Sequence, residues 1–275
     1  MTTIDPWSRA PSSHRGTRIA ASAPSTERPM NPQTLTAPTT RRLPLAESLR
    51  LLDAAQKPGT GVPAYTRWVN RRIARYLCAL AERVGATPSA VSVASILVTF
   101  SGLAAFLLLR STPVIAGISA AILLALGYAL DSADGQLARL QGTSSLQGEW
   151  LDHTLDALRL PAVHLTIAAG FLLHDLPVLA VAAAAFSVIA SAGFLSQNLG
   201  GLLRDRSRSQ RTVTRRHQSW LLLPADPGVL CWAFALWPLL PLFGAAYLAL
   251  LLTNLLHITL STRRRWAELG EGARP

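Results

Sequence analysis

The chain is 275 residues long, half of it apolar and only 15% charged, with a mean hydropathy of +0.30. This excludes a disordered chain and fits a soluble domain poorly, because the apolar residues gather into long runs nearly free of charge, as a bilayer-spanning chain requires. The formal net charge of +11 comes from 25 Arg and one Lys against 15 acids. The arginines crowd the ends of the apolar runs and the connecting segments, which points to anionic lipid and away from nucleic acid.

Nineteen of the first forty residues are Pro, Ser or Thr, and with no apolar period among them the segment 1–62 is expected to be disordered. It holds no apolar core of signal-peptide length, and Arg41-Arg42 is not followed by a hydrophobic segment, so nothing here is expected to direct export. From Ala64 to Val84 the pattern changes. Val69, Ile73, Tyr76, Leu77, Leu80 and Val84 recur at helical spacing, with Arg67, Arg71 and Arg75 on a separate stripe. This predicts an amphipathic helix lying flat on the membrane ahead of the first span.

Spans are predicted at Val91 to Leu109, Val114 to Leu130, Leu151 to Leu173 with Pro161 inside, and Pro177 to about Leu195. The last apolar stretch, Val229 to Leu260, is too long for one crossing. Trp237-Pro238-Leu239-Leu240-Pro241 breaks it, giving two spans of which the first is short. The expected fold is therefore all-α and integral to the membrane, with six transmembrane helices over 63–262 and a basic tail over 263–275. Six crossings with the N-terminus inside leave Arg110 alone outside. They put Arg67, Arg71, Arg72, Arg75, Arg139, the six arginines from Arg204 to Arg216, and Arg263 to Arg265 inside, as the positive-inside rule requires. The expected location is the plasma membrane, with both termini cytoplasmic.

Five of the acids fall within the 26 residues from Asp131 to Asp156, beside two spans. Carboxylates at a membrane boundary are costly unless they cap a helix, pair with a cation or hold a metal. Asp131 and Asp134 are three apart, and Asp152 and Asp156 four apart, so each pair lies on one helix face. The short segment Gln141 to Gln147 returns the second helix antiparallel to the first, which can bring the four carboxylates together. Hard oxygen ligands of this kind suit Mg²⁺ or Mn²⁺. Capping accounts for Asp152 taken alone, but Asp131 and Asp134 stand near a helix C-terminus, where negative charge opposes the dipole. Gly135, Ala138 and Gly148 leave space on these faces, and Arg139 sets a permanent cation beside it, suited to phosphate. His153, placed on a different face from the aspartate pair, and His164, on an apolar span, read as packing residues. Glu149 reads as a first-turn partner of the helix dipole.

Asp131-Ser-Ala-Asp134-Gly135-Gln-Leu-Ala138-Arg139, eight residues to Gly148, three to Asp152 and three to Asp156 resembles the complete signature of the CDP-alcohol phosphotransferases. The resemblance spans roughly Ala64 to Leu260. It implies a metal-dependent transfer of a phospho-alcohol group from a CDP-alcohol, most often phosphatidyl from CDP-diacylglycerol, to the hydroxyl of a second alcohol, with release of CMP. It further implies that Asp131, Asp134 and Asp152 are metal ligands, and that Asp156 is the general base and also contacts metal. Gly135, Ala138, Arg139 and Gly148 match positions that shape the nucleotide and phosphate site. A homodimer in the membrane is implied as well. Thr87-Pro88-Ser89-Ala90-Val91-Ser92 is similar to the family's Thr-Pro-Asn-x-x-Thr, with Ser89 and Ser92 in place of Asn and Thr, and reads equally well as a plain helix start.

Two other readings stand beside this one. The first is a family member using a non-glycerolipid donor such as CDP-inositol, and the second a membrane transporter or scaffold whose acids conduct a cation. After Asp156 the chain reads Ala157-Leu158-Arg159 and lacks the Asp-Pro and Asp-Lys neighbours associated with many phosphatidylglycerophosphate synthases. The acceptor alcohol is therefore left open.

Overall fold

A computed structural model describes residues 45–54, 62–207, 223 and 226–271. Eight α-helices are present among them: α1 (Leu45–Ala54), α2 (Arg71–Val84), α3 (Pro88–Leu108), α4 (Pro113–Gln141), α5 (Leu146–Leu172), α6 (Pro177–Ser207), α7 (Pro227–Ala233) and α8 (Leu240–Glu271). A π-helical turn, Thr66–Asn70, runs into α2, and a 3-10 turn, Phe234–Leu236, ends α7. The described residues contain no strand.

Five helices, α3 to α6 and α8, are long and apolar enough to cross a bilayer. Their large apolar side chains point outward: Leu97, Leu108, Ile115, Val178, Val188 and Leu256 are all exposed. In a soluble protein that arrangement would be unstable, whereas in a lipid solvent it is the favourable one. The sixth expected crossing is not confirmed. The apolar stretch does break at Trp237-Pro238, but its first part, Pro227–Leu236, is a short helical piece packed against α4, and ten residues of helix rise only about 15 Å.

The interior is aromatic. Phe106 of α3, Phe171 of α5, Phe234 and Trp237 of the break, and Phe243 and Tyr247 of α8 are all buried together. Phe106 meets Trp237 at 4.6 Å between ring centroids and Phe234 at 5.0 Å, edge to face in both cases. Gly170 lets α5 approach this cluster, since a Cβ there would stand 2.9 Å from both Phe106 and Trp237. His164 packs as expected: it is buried, stacked on Phe186, and its Nδ1 lies 2.7 Å from the Tyr247 hydroxyl. Pro161 lies inside α5, which remains helical to Leu172.

The amphipathic helix is where the periodicity puts it, as the π turn plus α2. Its protein-facing side is made of small residues, with Ala74, Cys78 and Ala79 buried, while Val69, Ile73, Tyr76, Leu80 and Val84 are left exposed. Two boundaries differ from expectation. Helix α1 falls inside the segment expected to be disordered, because Leu52 buries itself against Ala74, Cys78 and Leu137, and Asp53 pairs with Arg75 of α2. The rest of that segment, 1–44 and 55–61, lies outside the described residues, as does most of the arginine-rich stretch after Arg204. The basic tail from 263 is a continuation of α8 as far as Glu271, with Arg264 bonded to Glu268 one turn on at 2.8 Å.

The Gly170 contact gives a direct test. Gly170→Leu forces a branched side chain between two rigid rings, and the variant is expected to lose about 1–3 kcal/mol or more of stability, read as a lower thermal midpoint in detergent.

Candidate active site

The site is built on the hairpin of α4 and α5, with α3 packed against both. Helix α4 does not stop with its apolar run at Leu130 but continues through Asp131 and Asp134 to Gln141. Gly142 ends it at φ +66°, a conformation open to glycine, and the Thr143 N–H bonds back to the Ala138 carbonyl at 2.9 Å. Ser145 then caps α5, its hydroxyl accepting from the Gly148 N–H at 3.1 Å. Three residues, Thr143 to Ser145, thus separate Gly142 from α5, and the two acidic helix faces meet.

Asp131, Asp134 and Asp152 each offer a carboxylate oxygen within 4.8 Å of the others. Asp152, His153 and Asp156 form a second such group. The expected convergence of the four aspartates is therefore present in the geometry. Because α4 runs on to Gln141, Asp131 and Asp134 stand within its body and not at its C-terminus as expected, and their charge is met by specific partners: Asp134, 5% exposed, accepts from the Ser92 hydroxyl of α3, and Asp131 accepts from Arg159 Nη1 at 2.8 Å. The same Nη1 donates to Asp156 Oδ1 at 3.0 Å, and Nη2 donates to Ser95 Oγ at 2.6 Å.

A cavity of about 700 Å³ opens beside the cluster. Asp134 and Asp152 line it, together with all four of the expected nucleotide-site residues, Gly135, Ala138, Arg139 and Gly148. Asp131 and Asp156 are joined instead through Arg159. Arg139 carries a permanent positive charge to the cavity lining, where an anionic ligand would find it. Three carboxylates in this proximity are a donor set that fits a hard divalent cation, with Asp131, Asp134 and Asp152 positioned to hold it.

Several residues join the site that the sequence reading had set aside. Thr87 is a helix cap, its hydroxyl accepting from the Ala90 N–H at 3.2 Å, so the segment does start a helix, and Thr87, Ser89 and Ser92 also line the cavity. His153 leaves the helix on a different face from the aspartate pair, as expected, yet one ring nitrogen comes within 4.8 Å of Asp152 and Asp156 oxygens, and Glu149 stands 3.9 Å from its Nε2. Arg159 is the largest omission. Its position three residues after Asp156, on the same helix face, was the available signal.

A family model for CDP-alcohol phosphatidyltransferase matches residues 86–259. The chain belongs to that family. The matched region runs from just before α3 into α8 and contains every residue of the cluster. Members are transferases of substituted phosphate groups that move a phospho-alcohol from a CDP-alcohol in phospholipid biosynthesis, and they generally depend on a divalent metal. The transporter and scaffold readings lose their basis, and the substrates are a CDP-alcohol and an alcohol met in a membrane. A comparison with curated proteins finds no match.

The Ser92 contact can be tested apart from chemistry. Ser92→Ala leaves a buried carboxylate oxygen without its side-chain donor, and is expected to cost about 1–3 kcal/mol of stability, measured by thermal unfolding in detergent. Ser92→Thr, which keeps the hydroxyl, should retain most of it.

Proposed function

We propose that the enzyme transfers a phosphatidyl group from CDP-diacylglycerol to the hydroxyl of a second alcohol and releases CMP. The observation that carries this reading is the meeting of Asp131 with Asp134 and Asp152, of which the last two line a cavity that also presents Arg139 and the small residues Gly135, Ala138 and Gly148. The lipid donor suits a site at the ends of spanning helices, where acyl chains can remain in the bilayer while the nucleotide enters the polar cavity.

In this reading Asp131, Asp134 and Asp152 hold Mg²⁺ or Mn²⁺. The bound ion would neutralise charge on the pyrophosphate and on the departing phosphate. Arg139 binds a phosphate oxygen, and the small residues admit the nucleotide. Asp156 accepts the proton of the acceptor hydroxyl as its oxygen bonds to the phosphatidyl phosphorus. The bond from that phosphorus to the CMP oxygen breaks, and CMP leaves with the electron pair. Arg159 holds the Asp156 carboxylate in place for this step. The site faces the cytoplasm, α2 lies in the headgroup layer with its exposed apolar residues toward lipid, and the chain works as a homodimer in the plasma membrane.

CMP release from CDP-diacylglycerol, assayed with a panel of alcohols and mass identification of the lipid product, tests the reaction and names the acceptor. Activity should vanish on chelation and return with Mg²⁺ or Mn²⁺; undiminished release in excess EDTA after washing would remove the metal assignment. Asp156→Asn is expected to cut turnover by about 10²-fold or more while CMP still binds. Asp131→Asn should weaken both binding and turnover, with partial recovery at high Mg²⁺.

Sidedness follows from α4, whose two ends must lie on opposite faces of the membrane. Ser111→Cys and Ser144→Cys, both exposed, should label with impermeant maleimide only from outside and only from inside, respectively. Cys78 should contribute no background, because it is buried and desolvation pushes its thiol up to about 12. Labelling of Ser144→Cys from outside intact cells would reverse the proposed orientation.

A further inference from the structure

Helix α4 carries a polar stripe on a different face from its aspartates. Tyr128, Ser132 and Gln136 recur every fourth residue, and each meets the chain between Thr66 and Arg71. The Tyr128 hydroxyl lies 2.7 Å from Thr66 Oγ1. Asn70 Nδ2 donates to Ser132 Oγ at 2.6 Å and to the Tyr128 carbonyl at 3.4 Å, and Gln136 Nε2 donates to the Arg71 carbonyl at 3.5 Å. Asn70 is fully buried and Gln136 nearly so, and in such surroundings a bond left unmade is costly.

The π turn is held from its other side as well. Asp226, itself buried, accepts from the Thr66 N–H and from the Thr66 hydroxyl, both at 2.8 Å, while it caps α7 through the Gly228 N–H at 3.1 Å. Trp232 of α7 donates to the Tyr65 hydroxyl at 3.0 Å. At the far end of α2, Gln141 of α4 donates to Glu82 at 2.7 Å and to the Ala86 carbonyl at 3.1 Å. Between these ends the contact is apolar, with Ala74 and Cys78 clustered with Ala133 and Leu137.

Apolar contact of this kind is non-directional, so it sets the distance between two helices but not the rotation of either. The directional bonds at Thr66 and Asn70 set the rotation of α4. That rotation governs the site, because Ser132 stands between Asp131 and Asp134 in the chain. Side chains reach about 5–6 Å from a helix axis, so turning α4 by about 10° would carry a carboxylate about 1 Å sideways. Metal–ligand distances hold to within about 0.2 Å.

We propose that Asn70 is a positioning residue for the carboxylates of α4, acting through Ser132 and the Tyr128 carbonyl to hold Asp131 and Asp134 at the rotation in which they meet Asp152. The inference rests on the reading above that these carboxylates bind a divalent cation. Asn70 itself touches neither ion nor substrate. The π turn is the element that carries it, pinned between α4 and α7 so that the bond to Ser132 has a fixed origin.

The test measures Mn²⁺ affinity of the full chain in nanodiscs by equilibrium binding, with thermal midpoints taken on the same samples. Asn70→Leu keeps the size and removes both bonds to α4, and its Kd for Mn²⁺ should rise about tenfold. Ser132→Ala removes the nearer acceptor of Asn70 without adding bulk and should weaken Mn²⁺ binding in the same direction, so the answer does not hang on Asn70→Leu folding. Tyr247→Phe, which loses a buried hydrogen bond to His164 away from the cluster, should lower the thermal midpoint and leave Mn²⁺ affinity as it is. Wild-type affinity in folded Asn70→Leu or in Ser132→Ala, whatever the midpoint, overturns the proposal and leaves the metal reading intact. An equal loss of affinity in Tyr247→Phe makes the effect one of general stability and overturns it too. No Mn²⁺ on the wild-type chain defeats the metal reading, and the inference falls with it.

Discussion

Carboxylates gathered at the end of apolar helices repel one another, and that repulsion governs how the rest of the site is arranged. Water is scarce there, so each charge needs a partner supplied by the fold. Arg159 answers Asp131 and Asp156 from α5, and the Ser92 hydroxyl answers Asp134 from α3. Neither contact is local to the aspartate it serves on α4. The cluster is stable only when three helices are in register, which makes the packing of α3 against the hairpin a condition of the chemistry.

The hairpin sets that register with little chain. Gly142 turns the backbone through positive φ, and Ser145 restarts the helix three residues later. Both acidic faces are then carried on rigid helices rather than on a loop, which fixes the carboxylates relative to one another. The cavity takes its floor from the same two helices and its wall from the start of α3, so the residues that hold charge and the residues that leave space belong to one rigid unit.

Away from the site the molecule divides its apolar residues by size and solvent. Aromatic rings fill the interior between α3, α5 and α8, and aliphatic side chains cover the outward faces of the spanning helices. Helix α2 follows a related rule. It meets α4 through small residues and keeps its large ones exposed, which suits a helix with lipid on one side and protein on the other.

Local spacing was enough to reveal the aspartate pairs, the glycine and alanine positions beside them, the apolar runs and the amphipathic helix, because each is a repeat or pattern within one helix or one short turn. The piece before Trp237-Pro238 read as a short span, and that it falls short of a crossing was not legible, since a break at two prolines marks where a helix stops and not how far it rises. Helix α1 escaped notice because its apolar contact, Leu52 against α2 and α4, lies across the fold, and a ten-residue helix has little local signal of its own. The charge balance of the site was also hidden. Arg159 is one of 25 arginines, and its place one helix turn after Asp156 is the one local sign that sets it apart from those at the membrane surface. Only the packing of α5 against α3 decides that its guanidinium points inward, to Ser95 and to Asp131 of α4, because in an apolar span a cation is stable only where carboxylates already stand.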